Sequence, residues 1–131
     1  MPTTFGTSMP SRGPMASPEN LKSTAQRAEA LGFDSVWVSD HIILPREVDS
    51  FYPYAADGVA TFRPDEDYYE PLAALNFLAG CTQRVRLGTH VLILPYRNPV
   101  LTAKILSTLD VLSSGRVTLG VGVGWMEEEF Q

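Results

Sequence analysis

Apolar and polar positions along the chain switch repeatedly between two periods. From Leu21 the apolar residues recur at Ala25, Ala28 and Leu31, one face of a 3.6-residue helix. Ser17 precedes this run as an N-cap, Pro18 stands where its missing N–H costs nothing, and Glu19 complements the helix dipole. Gly32 supplies the stop. A second helix is predicted to open at Pro71, with Leu72, Leu75 and Leu78 inward, and to fray near Gly80. A third takes Asn98 as cap and Pro99 in its first turn; Leu101, Ile105, Leu109 and Leu112 have helical spacing, and Gly115 follows its end. Residues 126–130 read as the first turn of a fourth helix.

Between the helices lie β-branched runs. Residues 33–38, 85–94 and 116–123 are predicted strands, and 3–8 a weaker first one. The last two long runs are nearly continuous in apolar residues, the pattern of strands covered on both faces of a parallel sheet. The order is β-α-β-loop-α-β-α-β, an α/β fold with a repeat of roughly 30 residues per βα unit. Residues 40–67 break the rhythm with Pro, Gly, Asp and aromatics only. Loops of this length inside a domain are usually functional or disordered. Phe51, Tyr52, Tyr54, Phe62, Tyr68 and Tyr69 lie in or just after it, which fits either a tether between helices or a lid over a flat ligand.

Composition narrows the function classes. With 131 residues and 44% hydrophobic content the chain is expected to form one domain with a core. One cysteine, Cys81, leaves no disulfide framework and points to a reducing, cytoplasmic setting. The net charge of −5 argues against a nucleic-acid surface, and no apolar run is long enough for a membrane span. The first residues lack the pattern of a signal peptide.

Candidate chemistry gathers at the carboxyl ends of the predicted strands, where α/β folds bind ligands. His41 follows the second strand and opens the long loop; its near-neutral pKa suits proton transfer, although a lone histidine is often purely structural. Asp40 is a candidate to orient that imidazole. The third strand carries Gly88, Thr89, His90 and Val91, and a glycine there marks close approach of a backbone or a ligand. The fourth ends in Gly120, Gly122 and Gly124, a GxGxG pattern that differs from the GxGxxG dinucleotide turn. Two histidines without a Cys or carboxylate at ligand spacing do not predict a metal site. Asp110 and Arg116 are expected to be structural, as an ion pair.

Taken together, residues 28–41, 84–89, 94–99 and 109–130 resemble the luciferase-like monooxygenase superfamily of flavin- and deazaflavin-dependent (β/α)8 barrels. The resemblance covers nearly the whole chain and is nearest to the branch that uses the deazaflavin coenzyme F-420. It implies an oxidoreductase acting on paired donors or as a monooxygenase, with a small-molecule substrate and coenzyme F-420 or FMN as cofactor. By position it implies His41 as the catalytic histidine beside the reactive ring. His90 and Val91 match a pair that in many members forms a non-prolyl cis peptide behind the ring, and Gly120, Gly122 and Gly124 match its floor, with Asp40 and Thr89 also at the cofactor. Some deazaflavin dehydrogenases carry a glutamate where Trp125 stands, so their sugar-phosphate chemistry is not implied. Luciferases tend to carry Cys and Arg at the positions of Gly122 and Val123, so light emission is not implied either.

Such barrels typically need about 250 residues. The expectation is therefore the amino-terminal half of a TIM barrel, a luciferase-like domain over 1–131 truncated after strand four, with the later phosphate loops absent. Such a unit is expected to be inactive alone, to bind flavin weakly or not at all, and to form a homo-oligomer or need its carboxy-terminal half. Two other readings stand beside it: a nicotinamide-binding Rossmann half resting on Gly120 to Gly124, and a catalytically empty half-barrel acting as an assembly module.

Overall fold

Proline placement and a side-chain oxygen set the start of every long helix. The computed structural model describes residues 2–60 and 63–131. Helix α1 spans Pro18–Ala30, α2 Pro71–Cys81 and α3 Pro99–Leu112. Ser17 Oγ accepts from the Asn20 amide at 3.0 Å and Asn98 Oδ1 from Leu101 at 3.0 Å, the two expected caps. The cap of α2 is Glu70, whose Oε2 accepts from the Ala73 amide at 2.6 Å. Gly80 does not fray α2, which runs on to Cys81 and closes on Thr82. Gly32 follows α1 with φ +86°, a left-handed stop that glycine adopts freely.

The strands are shorter than the apolar runs. They are β1 Gly6–Ser8, β2 Ser35–Val38, β3 Arg86–Thr89, β4 Leu92–Ile93, β5 Val117–Thr118 and β6 Val121–Gly122. The third predicted strand thus divides into β3 and β4, and the fourth into β5 and β6. The peptide bond between His90 and Val91, in the first of these breaks, is cis. All pairings between these six strands are parallel: β1-β2-β3-β5 form one sheet in sequential order, and β4 pairs with β6 beyond it. A Rossmann half steps back at a switch point and places its fourth strand beside the first. Sequential order instead describes an arc of a (β/α)8 barrel, so the Rossmann reading fails on topology.

The core lies between this sheet and the helices. Val36, Val38 and Leu87 meet Leu21, Ala25 and Ala28 of α1, Leu75 and Leu78 of α2, and Leu109 of α3. On the opposite face Trp37 lies between Gly6 and Gly88, its register partner on β3. A Cβ at either glycine would strike the indole, so the close approach expected at Gly88 is to Trp37, which donates from Nε1 to Ser35 Oγ at 2.8 Å.

Several apolar positions are not covered. Leu31 lies beyond the last turn of α1 and is exposed. Leu101 and Leu112 of α3 are exposed while Leu109 is buried, because α3 packs mainly on α2 and β5. Val121 and Val123 are likewise exposed, so the fourth run is not covered on both faces as its composition predicted. Residues 126–130 form a 3-10 turn, Glu127–Glu129, rather than the start of an α-helix. Arg116 does not pair with Asp110. Its guanidinium donates to the carbonyls of Ala79, Thr82, Val85 and Ser113 at 2.7–3.1 Å, three of them at or just past the end of α2, where carbonyls lack helical partners. Asp110 Oδ1 instead accepts from the Val117 amide.

Candidate functional site

The carboxyl ends of the strands open into a cavity of about 720 Å³. That is within the range of small-molecule and cofactor sites. Ser8 reaches it from the end of β1, and Ser39, Asp40 and His41 from the end of β2. His90, Val91 and Ile93 line it from the β3–β4 break onward, and Val121 to Trp125 from β6 onward. Strand ends converge there because parallel strands all present the same end to one side of the sheet.

His41 is held from two directions. Its Nδ1 lies 2.9 Å from Oε2 of Glu129, whose side chain is 1% exposed. Its ring meets Tyr68 edge-on at 5.4 Å and Trp125 at 6.2 Å between centroids. The carboxylate on the imidazole is therefore Glu129 and not Asp40. Asp40 turns the other way: its fully buried carboxylate accepts from the Ile93 amide at 2.9 Å and from Arg97 at 2.7 and 3.3 Å. Arg97 in turn reaches Glu70 at 2.9 Å, tying the segment after β2, the end of β4 and the cap of α2 together. Burial pushes the Asp40 pKa above its ordinary value of 3.8, against the bonds from Arg97 and Ile93, which lower it. Both residues lie past Val38, the last residue of β2, where the chain has left the strand and their side chains diverge.

The other candidates separate into two groups. His90 Nε2 lies 3.5 Å from Ser8 Oγ, and burial, aided by the Arg12 charge, lowers the His90 pKa below 6.5. Val91, Gly122 and Gly124 join it around the cavity. Thr89 and Gly120 are not among the lining residues. They bond to each other behind it, Thr89 Oγ1 donating to the Gly120 carbonyl at 2.8 Å and accepting from its amide at 3.2 Å. In the direction a side chain would take, each glycine meets protein: a Cβ at Gly120 would strike the Thr89 carbonyl, one at Gly122 the Val91 side chain, and one at Gly124 the Phe130 ring.

The long loop contributes unevenly. Among its described residues, 40–60 and 63–67 contain no helix or strand. Tyr52 meets Trp125 at a tilt at 5.0 Å and Tyr54 edge-on at 5.5 Å, and both tyrosines line the cavity with Tyr68. Phe51 faces solvent, Tyr69 packs on the core, and Phe62 lies outside the described residues. The loop is latched by Glu128, which accepts from the amides of Asp49 and Ser50 at 2.8 and 2.9 Å and from Ser50 Oγ at 2.7 Å. Ser50 Oγ also accepts from the Glu127 amide at 3.0 Å. Those donors hold the Glu128 carboxyl down at about 2, the Ser50 hydroxyl first among them. Sequence reasoning missed Glu129, Glu128 and Arg97 as parts of the site. A run of three glutamates reads as a solvated helix start, and nothing local marks which of them turns inward. Among the described residues no three His, Cys, Asp or Glu side chains converge as metal ligands, and no helix is long and apolar enough to cross a membrane.

Comparison with known proteins gives this geometry a family. An uncharacterized protein of Mycobacterium tuberculosis is 38% identical over 107 residues, covering 82% of this chain and 37% of its own length. The F420-dependent glucose-6-phosphate dehydrogenase of Amycolatopsis mediterranei is 40% identical over 108 residues, 82% of this chain and 28% of that enzyme. The solved structure of an F420-dependent secondary alcohol dehydrogenase in complex with an F420-acetone adduct superposes with a TM-score of 0.70 at 27% identity, over 95% of this chain and 32% of that one. The chain thus spans about a third of the length of the relatives it matches. A family model described as luciferase-like monooxygenase matches residues 2–131. With that match across the described strands, helices and cavity, the chain belongs to the luciferase-like monooxygenase family.

Proposed function

We propose that this chain furnishes one wall of the ring site of a flavin- or deazaflavin-dependent oxidoreductase, with coenzyme F-420 the preferred cofactor. The observation that carries the reading is the gathering of His41, His90, Val91, Gly122 and Gly124 around one cavity of about 720 Å³ at the strand ends. The residues fit a flat polycyclic ring: backbone without side chains at the two glycines, the Val91 side chain, and aromatic edges from Tyr52, Tyr68 and Trp125. When bound, such a ring supplies the hydride or oxygen chemistry. Two relatives that match this chain are named as F420-dependent, which supports the deazaflavin.

In this reading His41 is the catalytic residue, moving a proton at the substrate. His90, Val91, Gly122 and Gly124 hold the ring, Asp40 borders the cavity while fixing Arg97 and the end of β4, and Thr89 and Gly120 fix the strand ends behind them. A sugar phosphate is not the substrate proposed, because Trp125 stands at the expected position of the proton-donating glutamate. The substrate is a small molecule admitted under Tyr52 and Tyr54, and the catalytic unit is the whole protein.

Absorbance titration with coenzyme F-420, FMN and NADP tests this. A perturbed deazaflavin band that weakens in Gly122→Val, with no response to NADP, is the expected result. An FMN response equal to or stronger than that to F-420 moves the cofactor assignment to FMN. No response to either ring at millimolar concentration, in chain that melts cooperatively, overturns the proposal in favour of an empty assembly module.

A further inference from the structure

Glu129 is a carboxylate that the fold hides at a cost. Its side chain is 1% exposed, Oε2 lies 2.9 Å from His41 Nδ1, and Oε1 is buried with no hydrogen-bond partner among the described residues. Burying a carboxylate with one oxygen unsatisfied is unfavourable, and pairing it with one imidazole does not restore the lost hydration. A group retained on such terms is better explained by what it does to its partner than by stability.

We infer that Glu129 is the positioning residue of His41: it accepts from Nδ1–H, fixes the imidazole in the Nδ1-protonated tautomer, and so places the lone pair on Nε2. The inference rests on the ring-site reading for its purpose but not for its geometry. Which ring nitrogen carries the proton is set by the bond the other one makes. A carboxylate oxygen accepts, and with Oε2 2.9 Å from Nδ1 the inferred arrangement puts the hydrogen on Nδ1. Tyr68 and Trp125, both edge-on to the ring, oppose its rotation away from Glu129. The turn that carries Glu129 is itself fastened: its Glu127 amide donates to Ser50 Oγ and its Glu128 carboxylate holds the amides of Asp49 and Ser50. Histidine orientation and loop docking therefore share one short segment, with Met126 buried at its base.

Long-range proton–nitrogen NMR on the full 131-residue chain, in solution or in the solid state, reads the tautomer directly. The only other histidine is His90, so a His90→Gln chain assigns the signals. The expected result is Nδ1–H as the main form of His41 in the wild type and in Glu129→Gln, whose amide oxygen still accepts. In Glu129→Ala the ring should revert to the Nε2–H form that imidazoles prefer in water. Nε2–H as the main wild-type form overturns the inference, and so does an unchanged tautomer in folded Glu129→Ala. Should the alanine chain fail to fold, the wild type and Glu129→Gln decide, and Nε2–H in either refutes the role. Cofactor titration of the same chains keeps the two claims apart: the expected tautomers without ring binding would refute the oxidoreductase reading and leave Glu129 as the group that positions His41.

Discussion

Replacing Arg97 with methionine removes the partner of a carboxylate that has no water to turn to. Asp40 is 0% exposed at its side chain and Arg97 10%, and after the change Asp40 keeps only the Ile93 amide. Breaking a buried pair by deleting one member costs about 3–5 kcal/mol, because the remaining charge stays buried. The Arg97–Glu70 arm adds little, since Glu70 is 41% exposed and a screened pair of that kind contributes about 0–1 kcal/mol. The expected loss at pH 7 is therefore about 3–5 kcal/mol, a large share of the stability of a small domain. It also depends on pH in a defined direction. Burial already raises the Asp40 pKa above 3.8, and Arg97 is the main group opposing that rise, so the variant pKa lies higher still. A carboxyl raised in the folded state favours folding when protonated and loses that advantage as pH rises through its folded pKa. The gap between wild type and variant should thus open as pH rises and close once Asp40 is neutral in both. Urea unfolding followed by circular dichroism at low micromolar concentration measures it. With slopes of about 1–3 kcal/mol per molar, the neutral-pH midpoint should fall by at least about 1 M. A loss under about 1 kcal/mol at pH 7, or one equal at pH 4 and pH 8, would refute the reasoning.

Other outcomes follow from single features. Gly120→Ala should cost about 1–3 kcal/mol by forcing a methyl against the Thr89 carbonyl between β3 and the fourth run; a neutral result in thermal melts would show that this contact relaxes. The Glu128 latch, whose carboxyl lies at about 2 against an ordinary 4.5, contributes above 4.5 and is lost as pH falls through about 2. Hydrogen exchange at the amides of Asp49 and Ser50 should stay slow at pH 4 and accelerate in Glu128→Gln; protection unchanged by that substitution would remove the latch. Val100, Val111 and Val123 are each more than 75% exposed, and β1 and β5 each have one neighbour in the sheet, so the 131-residue chain should self-associate or aggregate. A monodisperse monomer at tens of micromolar in the ultracentrifuge would contradict this.

The helix starts were legible because caps are local. Ser17 with Pro18 and Asn98 with Pro99 act within one turn, and the tertiary structure had no means to move them. The parallel α/β alternation was legible for the same reason, as was the approach of three strand ends carrying histidines and glycines. What local pattern does not contain is the partner of a charge. Asp40 and His41 are neighbours in sequence, yet past the end of β2 one meets Arg97, 57 residues on, and the other Glu129, 88 residues on. Arg116, six residues from Asp110, passes it over for carbonyls at the end of α2. The exposure of Leu101 and Leu112 was equally invisible, since spacing reveals that a face is apolar and only the neighbouring elements determine whether it is covered. Residue order thus determined which segments form helices and strands and in what direction they run. Tertiary structure decided which buried charges meet, because that depends on where strand ends converge in space and not on the distance between residues along the chain.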